Sequence, residues 1–193
     1  MRKSSWVEYG VVKLQHLRIP RERVGSLIGR KGETRKLIEK ETGVELRIDS
    51  AEGEVEIDYS RCTDPSMALV AVDIVKAIGR GFSPKNALLL INDDYLLEVI
   101  DIRDYVGKKP NHVIRLRSRI IGSNGKTRKL IEDLTDTHIS VYGNTVSIIG
   151  GSEQMTVCIR AVDLLLSGSE HSTVYHFLEK HRAVIKIAGM GFD

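Results

Sequence analysis

Cysteine, aromatic residues and long apolar runs are all scarce in this chain, and each scarcity removes a class of protein. Two cysteines among 193 residues, Cys62 and Cys158, show no CxxC or Cys/His spacing. Neither a disulfide framework nor a zinc site is therefore indicated, and a reducing, cytoplasmic setting is expected. Aromatic residues make up 5%, which leaves little material for recognition by ring stacking. No stretch reaches the ~18 consecutive apolar residues of a membrane span. The opening MRKSSWVEYG is not followed by the apolar core of a secretion signal. With no Walker loop and no GxGxxG, no nucleotide cofactor is expected either. Charge of one sign is also missing, since 29 Lys+Arg stand against 26 Asp+Glu for a net +3. An anionic partner must then be met by a local basic patch, because the surface as a whole is nearly neutral.

What the chain does have is a repeat. Residues 28–39 read IGRKGETRKLIE and residues 121–132 read IGSNGKTRKLIE. A repeat in a chain of this length points to two small domains, each with its own core. After each second glycine the spacing is helical: Thr34, Leu37, Ile38 and Glu41 in one copy, Thr127, Leu130, Ile131 and Leu134 in the other. Alternation follows, predicting one hairpin through Val44, Leu46, Ile48, Val55 and Ile57, turning at Glu52-Gly53. The second hairpin runs through Ile139, Val141, Val146 and Ile148, turning at Gly143-Asn144. A longer helix comes next in each copy, capped by Asp64 with Pro65 at its first position, and by Ser152.

Upstream, residues 9–19 and 94–103 read as first strands, and residues 20–28 and 110–121 as helices running into the glycines. The order is strand, helix, Gly-x-x-Gly, helix, hairpin, helix, written twice. An α+β fold is expected, with domains at residues 5–82 and 94–168. A linker helix at 83–93 begins with Ser83-Pro84, and an amphipathic C-terminal helix and tail occupy 169–193.

A Gly-x-x-Gly between two helices can be a plain structural turn, because glycine tolerates positive φ and close approach. Here each loop opens a helix, where free N–H groups and the helix dipole attract anions. Arg30, Lys31, Arg35 and Lys36 surround the first loop, Gly29–Gly32, with Arg21 and Arg23 just upstream. Arg115, Arg117, Arg119, Lys126, Arg128 and Lys129 surround the second, Gly122-Ser123-Asn124-Gly125. A bare turn has no need of that charge, whereas a phosphate backbone does.

Ile-Gly-x-x-Gly followed by a Leu-Ile helix, in this element order, resembles the type I KH domain (βααββα) in tandem. The resemblance covers roughly residues 5–168. Each copy would be a three-stranded sheet packed by helices, and each loop would clamp about four backbone nucleotides of single-stranded RNA. RIIGSNGKTRKLIEDLT and ISVYGNTVSIIG closely resemble the second KH domain of the Partner-of-Nob/Krr family of ribosomal RNA-processing proteins. Without the N-terminal extension of the eukaryotic members, the chain is similar to the archaeal branch. The resemblance implies binding near the 3′ end of small-subunit ribosomal RNA. It also implies partnership with the nuclease that matures that end, and with other assembly or initiation factors. The second loop departs from the family in lacking a lysine or arginine between its glycines.

Other groupings carry less. Asp93, Asp94, Asp101 and Asp104 are the densest carboxylates, but no acid, base or ligand motif accompanies them. His176 and His181 are off one helical face, while His16 and His138 belong to strands. No catalytic and no metal-binding residue is therefore assigned, and no enzyme is expected. Arg35 with Glu39, and Arg128 with Glu132, are spaced to pair along a helix, a gain of only ~0.2–0.5 kcal/mol. Cys158 falls on an apolar stripe and is expected in the core. Two alternatives to a ribosomal factor stay open. One is a KH regulator of other RNAs, and the other is a protein-interaction scaffold docking through Val174, Phe177 and Leu178.

Overall fold

A computed structural model describes residues 14–189, with side chains as far as Arg182. The expected strand residues 9–13, the start of the first domain and the last four residues lie outside the described residues. β1 (Leu14–Arg18), α1 (Arg21–Ile28), α2 (Glu33–Thr42), β2 (Glu45–Asp49), β3 (Glu54–Asp58) and α3 (Pro65–Gly79) form the first unit. α4 (Pro84–Ala87) and a 3-10 turn (Leu88–Ile91) follow. β4 (Tyr95–Asp101), α5 (Arg103–Val106), α6 (Pro110–Ile121), α7 (Lys126–Thr135), β5 (His138–Tyr142), β6 (Thr145–Gly151) and α8 (Ser152–Leu166) form the second, and α9 (His171–Gly189) closes the chain. Each unit carries a three-stranded antiparallel sheet, ordered β1-β3-β2 and β4-β6-β5. The expected βααββα order is present twice, with a short α5 added in the second copy.

Several expectations hold in detail. The Asp64 side chain accepts from the Ser66 N–H with Pro65 inside the first turn of α3, and the Ser83 hydroxyl accepts from the Asn86 N–H at α4. At α8, however, Gly151 is the N-cap and Ser152 makes no capping bond. The stripe of α2 is also narrower than its spacing implied. Ile38 and Thr42 are buried, but Leu37 is 40% exposed and the Glu41 side chain 38%. Leu37 faces out because only one side of α2 packs on α1 and α3.

Two further corrections concern segments expected at the periphery. Ala87 and Leu90, in the expected linker, are buried in the first core, with Leu88, Leu89 and Ile91 packed against it. Val174 and Leu178 of α9 are wholly buried in the second core, and Phe177 packs beside them. A surface already spent on the core cannot dock a partner, so the scaffold reading loses its binding face.

β6 is buried along its length from Thr145 to Gly150, and its two faces explain why. Val146 and Ile148 turn to the helices of their own unit, whereas Ile149 belongs to the first unit's core together with partly buried Tyr95 and Leu97. Ser140 donates to the Arg80 carbonyl at 2.8 Å, and the Tyr142 hydroxyl donates to the Glu22 carboxylate. That bond holds the Glu22 carboxyl below its usual range. Gly81, at φ 100°, allows the approach, since a Cβ there would stand 2.6 Å from the Ser140 hydroxyl. The outer face of the second sheet is therefore the joint between the units.

Cys158 is fully buried, and burial pushes its thiol up to about 11. With so little thiolate near neutrality, Cys158 should react with a soluble disulfide reagent only after unfolding. Half-buried Cys62 should react first. Timed thiol titration with and without denaturant checks this, and two equally fast thiols in the folded chain would contradict it.

Candidate nucleic-acid interface

The two loops are the same object built twice. α1 ends at Gly29 (φ 74°, ψ 177°), Lys31 sits at φ 52°, and Gly32 at φ 80° opens α2. The second copy repeats this with Gly122 at φ 71°, Asn124 at φ 53° and Gly125 at φ 77° opening α7. Neither Gly32 nor Gly125 supplies a side-chain cap. The first N–H of each helix donates within the loop, Glu33 to the Arg30 carbonyl and Lys126 to the Ser123 carbonyl. The N–H groups that follow have no side-chain cap and can meet water or an anionic ligand.

The paired glycines are needed for different reasons. A Cβ on Gly29 would lie 2.3 Å from the Thr34 hydroxyl, and one on Gly122 would lie 2.2 Å from the Thr127 hydroxyl. Gly32 and Gly125 have open space around them and are fixed only by their φ. Gly29→Ala and Gly122→Ala should each cost about 1–3 kcal/mol, while Gly32→Ala and Gly125→Ala should cost about 1 kcal/mol. Urea denaturation of the four variants tests the order. Equal losses would show that strain alone, without the threonine contact, sets the requirement.

The lysine-free second loop is compensated in two ways. Lys31 holds a left-handed conformation that lysine adopts at a cost, whereas Asn124 adopts the same conformation readily. The missing charge reappears at the helix. Residues 30–36 carry four cations against Glu33, and residues 123–129 carry three cations with no carboxylate, so both segments have the same net charge.

Beside the first loop lies an open groove lined by Ile28, Lys31, Gly32, Arg35, Lys36 and Ile48. It meets a second hollow through Arg35, whose further walls include Glu39, Val44, Asp58 and Arg61. The groove therefore has cations along one side and aliphatic surface for bases on the other. By the repeat, Ile121, Asn124, Gly125, Arg128, Lys129 and Val141 stand in the matching positions of the second copy.

Arg35 and Arg128 pair with the expected glutamates, Arg35 Nε to Glu39 at 3.1 Å and Arg128 Nε to Glu132 at 3.5 Å. Both glutamates do more than the spacing indicated. Glu39 accepts from the Leu46 N–H at 2.8 Å and Glu132 from the Ile139 N–H at 2.7 Å. Each glutamate thus pins the start of a groove strand and aims an arginine beside it. The recurrence of Glu with Arg at one spacing was the available signal for this device.

Other candidates divide. Arg119 is spent on structure: it donates to the carbonyls of Leu165 and Ser169 at the end of α8. Arg23 does the same for Ile78 and Phe82 at the end of α3. Arg21 is bridged to Glu52 at 2.8 Å. Arg117 keeps its Nε buried without a hydrogen-bond partner among the described residues. Arg30, Lys31, Lys36, Ser123, Lys126 and Lys129 remain exposed at the loops. The carboxylates do not converge: Asp101 is held by Arg103 through a forked ion pair, which keeps its carboxyl below the usual range. Among the described residues no group of three His, Cys, Asp or Glu side chains could hold a metal ion, and no helix is long and apolar enough to cross a membrane.

Comparison with known proteins places these loops among relatives. Residues 96–183 match the family described as eukaryotic type KH-domain (KH-domain type I), and residues 14–64 match the KH domain family. A KH domain-containing protein of Methanocaldococcus jannaschii is 50% identical over 176 residues, 91% of this chain and 77% of that protein. Dim2p from Pyrococcus horikoshii is 43% identical with a TM-score of 0.80, over 86% of this chain and 98% of its own. The same organism's aDim2p, in complex with a/eIF2alpha and rRNA, is 42% identical with a TM-score of 0.81, over 89% and 94%. A protein of Aeropyrum pernix is 35% identical with a TM-score of 0.84, over 92% and 94%.

Proposed function

Because the chain belongs to the tandem KH-domain family of archaeal Dim2p, an RNA-binding family, we propose that it holds the unpaired 3′-terminal region of small-subunit ribosomal RNA during processing and assembly. The observation that carries this reading is the duplicated loop, a helix N-terminus without a side-chain cap, opened by Gly-x-x-Gly and flanked by the same net positive charge in both copies. KH grooves accept splayed bases, so an unpaired tail is the form of RNA they can read. With few aromatic residues, hydrogen bonds and aliphatic contacts at Ile28, Ile48 and their counterparts carry base choice.

The protein positions RNA and does not cut it. Its densest carboxylates are dispersed, and Asp101 is committed to Arg103. A relative assembles with a/eIF2alpha and rRNA, and both are proposed partners here, together with the nuclease that trims the RNA. A cytoplasmic setting accords with such partners.

The test is competition by short RNA oligomers tiled along the small-subunit RNA at physiological salt, with and without magnesium. The 3′-terminal tiles should compete best. A flat profile would replace the ribosomal assignment with a general KH regulator of other RNAs. Affinity should also fall with salt, at about −0.7 in log–log slope for each phosphate neutralised.

A further inference from the structure

Part of the apolar surface left exposed lies along β4 and α3, away from both loops. Leu69 (69%), Leu96 (48%) and Val99 (37%) are three of the exposed large hydrophobic residues described; Leu69 and Leu96 line one hollow and Val99 the adjoining one. Their floor is β4, which pairs with β6 on one side and has no strand on the other among the described residues. The outward stripe of α3, at Leu69, Asp73, Lys76 and Arg80, forms the facing wall. The two hollows meet at Asp73 and Leu97, so a groove passes along the length of the strand.

The groove is also electrically polar. One half carries Asp93 and Glu98 beside Leu69, Leu96 and the α8 residues Met155 and Ile159. The other carries Arg80 beside Leu17, Pro20 and Val99, with Lys76 paired to Asp73 at 3.1 Å and Arg18 to Glu52 at 3.1 Å. Unpaired strand edges recruit extended chains through their backbone, and flanking side chains set which chain is taken. A second copy of β4 is disfavoured. Antiparallel self-pairing about the centre of YLLEVID would set Glu98 against its own copy. RNA is disfavoured by the carboxylates of the acidic half.

We propose that this groove docks an extended segment of a partner protein, laid along β4. Its apolar side chains would alternate between the two faces of the edge, some beside Leu69 and Leu96 and the others beside Val99, with a basic residue against Asp93 and Glu98 and an acidic residue against Arg80. The site is independent of the two loops, so the chain can hold RNA and protein together.

The probe is a blocked seven-residue peptide with lysine at one end, glutamate at the other and valine at the positions between, so that it presents apolar side chains to both faces of the edge. It is titrated into the full-length chain by amide NMR. Shifts should concentrate on β4 and α3 and leave Gly29–Gly32 and Gly122–Gly125 unmoved. Leu96→Glu should weaken binding about tenfold or more, with folding checked by circular dichroism. Glu98→Lys should reject the peptide and accept one whose lysine is replaced by glutamate. The proposal is overturned by no shift at millimolar peptide, or by equal binding to Leu96→Glu. It is overturned equally if an unpaired RNA oligomer moves the same amides, or if the β4 amides are already protected from hydrogen exchange without peptide.

Discussion

With Arg30 and Lys31 both changed to Asp, the chain should bind a short unpaired RNA about 10²-fold more weakly at physiological salt. Two cations that face phosphate are lost and two anions that repel it are gained. The fold should survive, because both positions are exposed and Asp tolerates the left-handed conformation of residue 31 better than Lys does. Asp136 already occupies that region, at φ 52°, where α7 ends. Ser123→Asp with Asn124→Asp should have a comparable effect, since the charge around the second loop equals that around the first. Filter binding of both double variants, with circular dichroism as control, is the measurement. Unchanged affinity in both would remove the loops from the interface.

The second large effect concerns stability and arises at the joint. Ile149→Ala should cost about 2–5 kcal/mol, the usual loss for a fully buried isoleucine. Its consequences should cross the boundary between the repeats. Ile149 lies on a strand of the second sheet but packs in the first core, so hydrogen exchange should accelerate at Phe82 and Leu90 as well as along β6. Wild-type chain should unfold in one cooperative transition. Two separated transitions, with a loss confined to the second repeat, would show that the joint contributes little. The joint also fixes the two loops relative to one another. A single RNA strand held by both gains from the second contact being intramolecular, by about 10²–10⁴-fold.

Most of this architecture was legible in the sequence because it is written twice. A Gly-x-x-Gly alone is ambiguous, but two of them with matching helices and hairpins define both loops and the order around them. Periodicity failed where tertiary packing decides which side of an element is covered. Leu37 satisfies the helical spacing of α2 and is nonetheless exposed, while Val174 and Leu178 look available on an amphipathic helix and are core. Arg119 looks like a phosphate ligand by proximity to the second loop, yet its guanidinium closes the end of α8. The joint left one readable trace. VSIIGG in β6 is apolar without alternation, as strands covered on both faces are, whereas EVEID in β3 alternates and keeps one face open. The partner of that second face could not be read, because it depends on how two folded units meet.

The central claim is that both Gly-x-x-Gly loops grip one unpaired RNA strand through backbone and flanking cations. Amide NMR of the full-length chain during titration with an unpaired RNA long enough to reach both loops tests it most directly. The expected result is a set of saturable shifts at Gly29–Gly32 and Gly122–Gly125 and at the first turns of α2 and α7. These should appear at the same RNA concentration, weaken as salt rises, and be absent when the RNA is annealed to its complement. Shifts confined to other surfaces, or equal for duplex and unpaired RNA, would contradict the account.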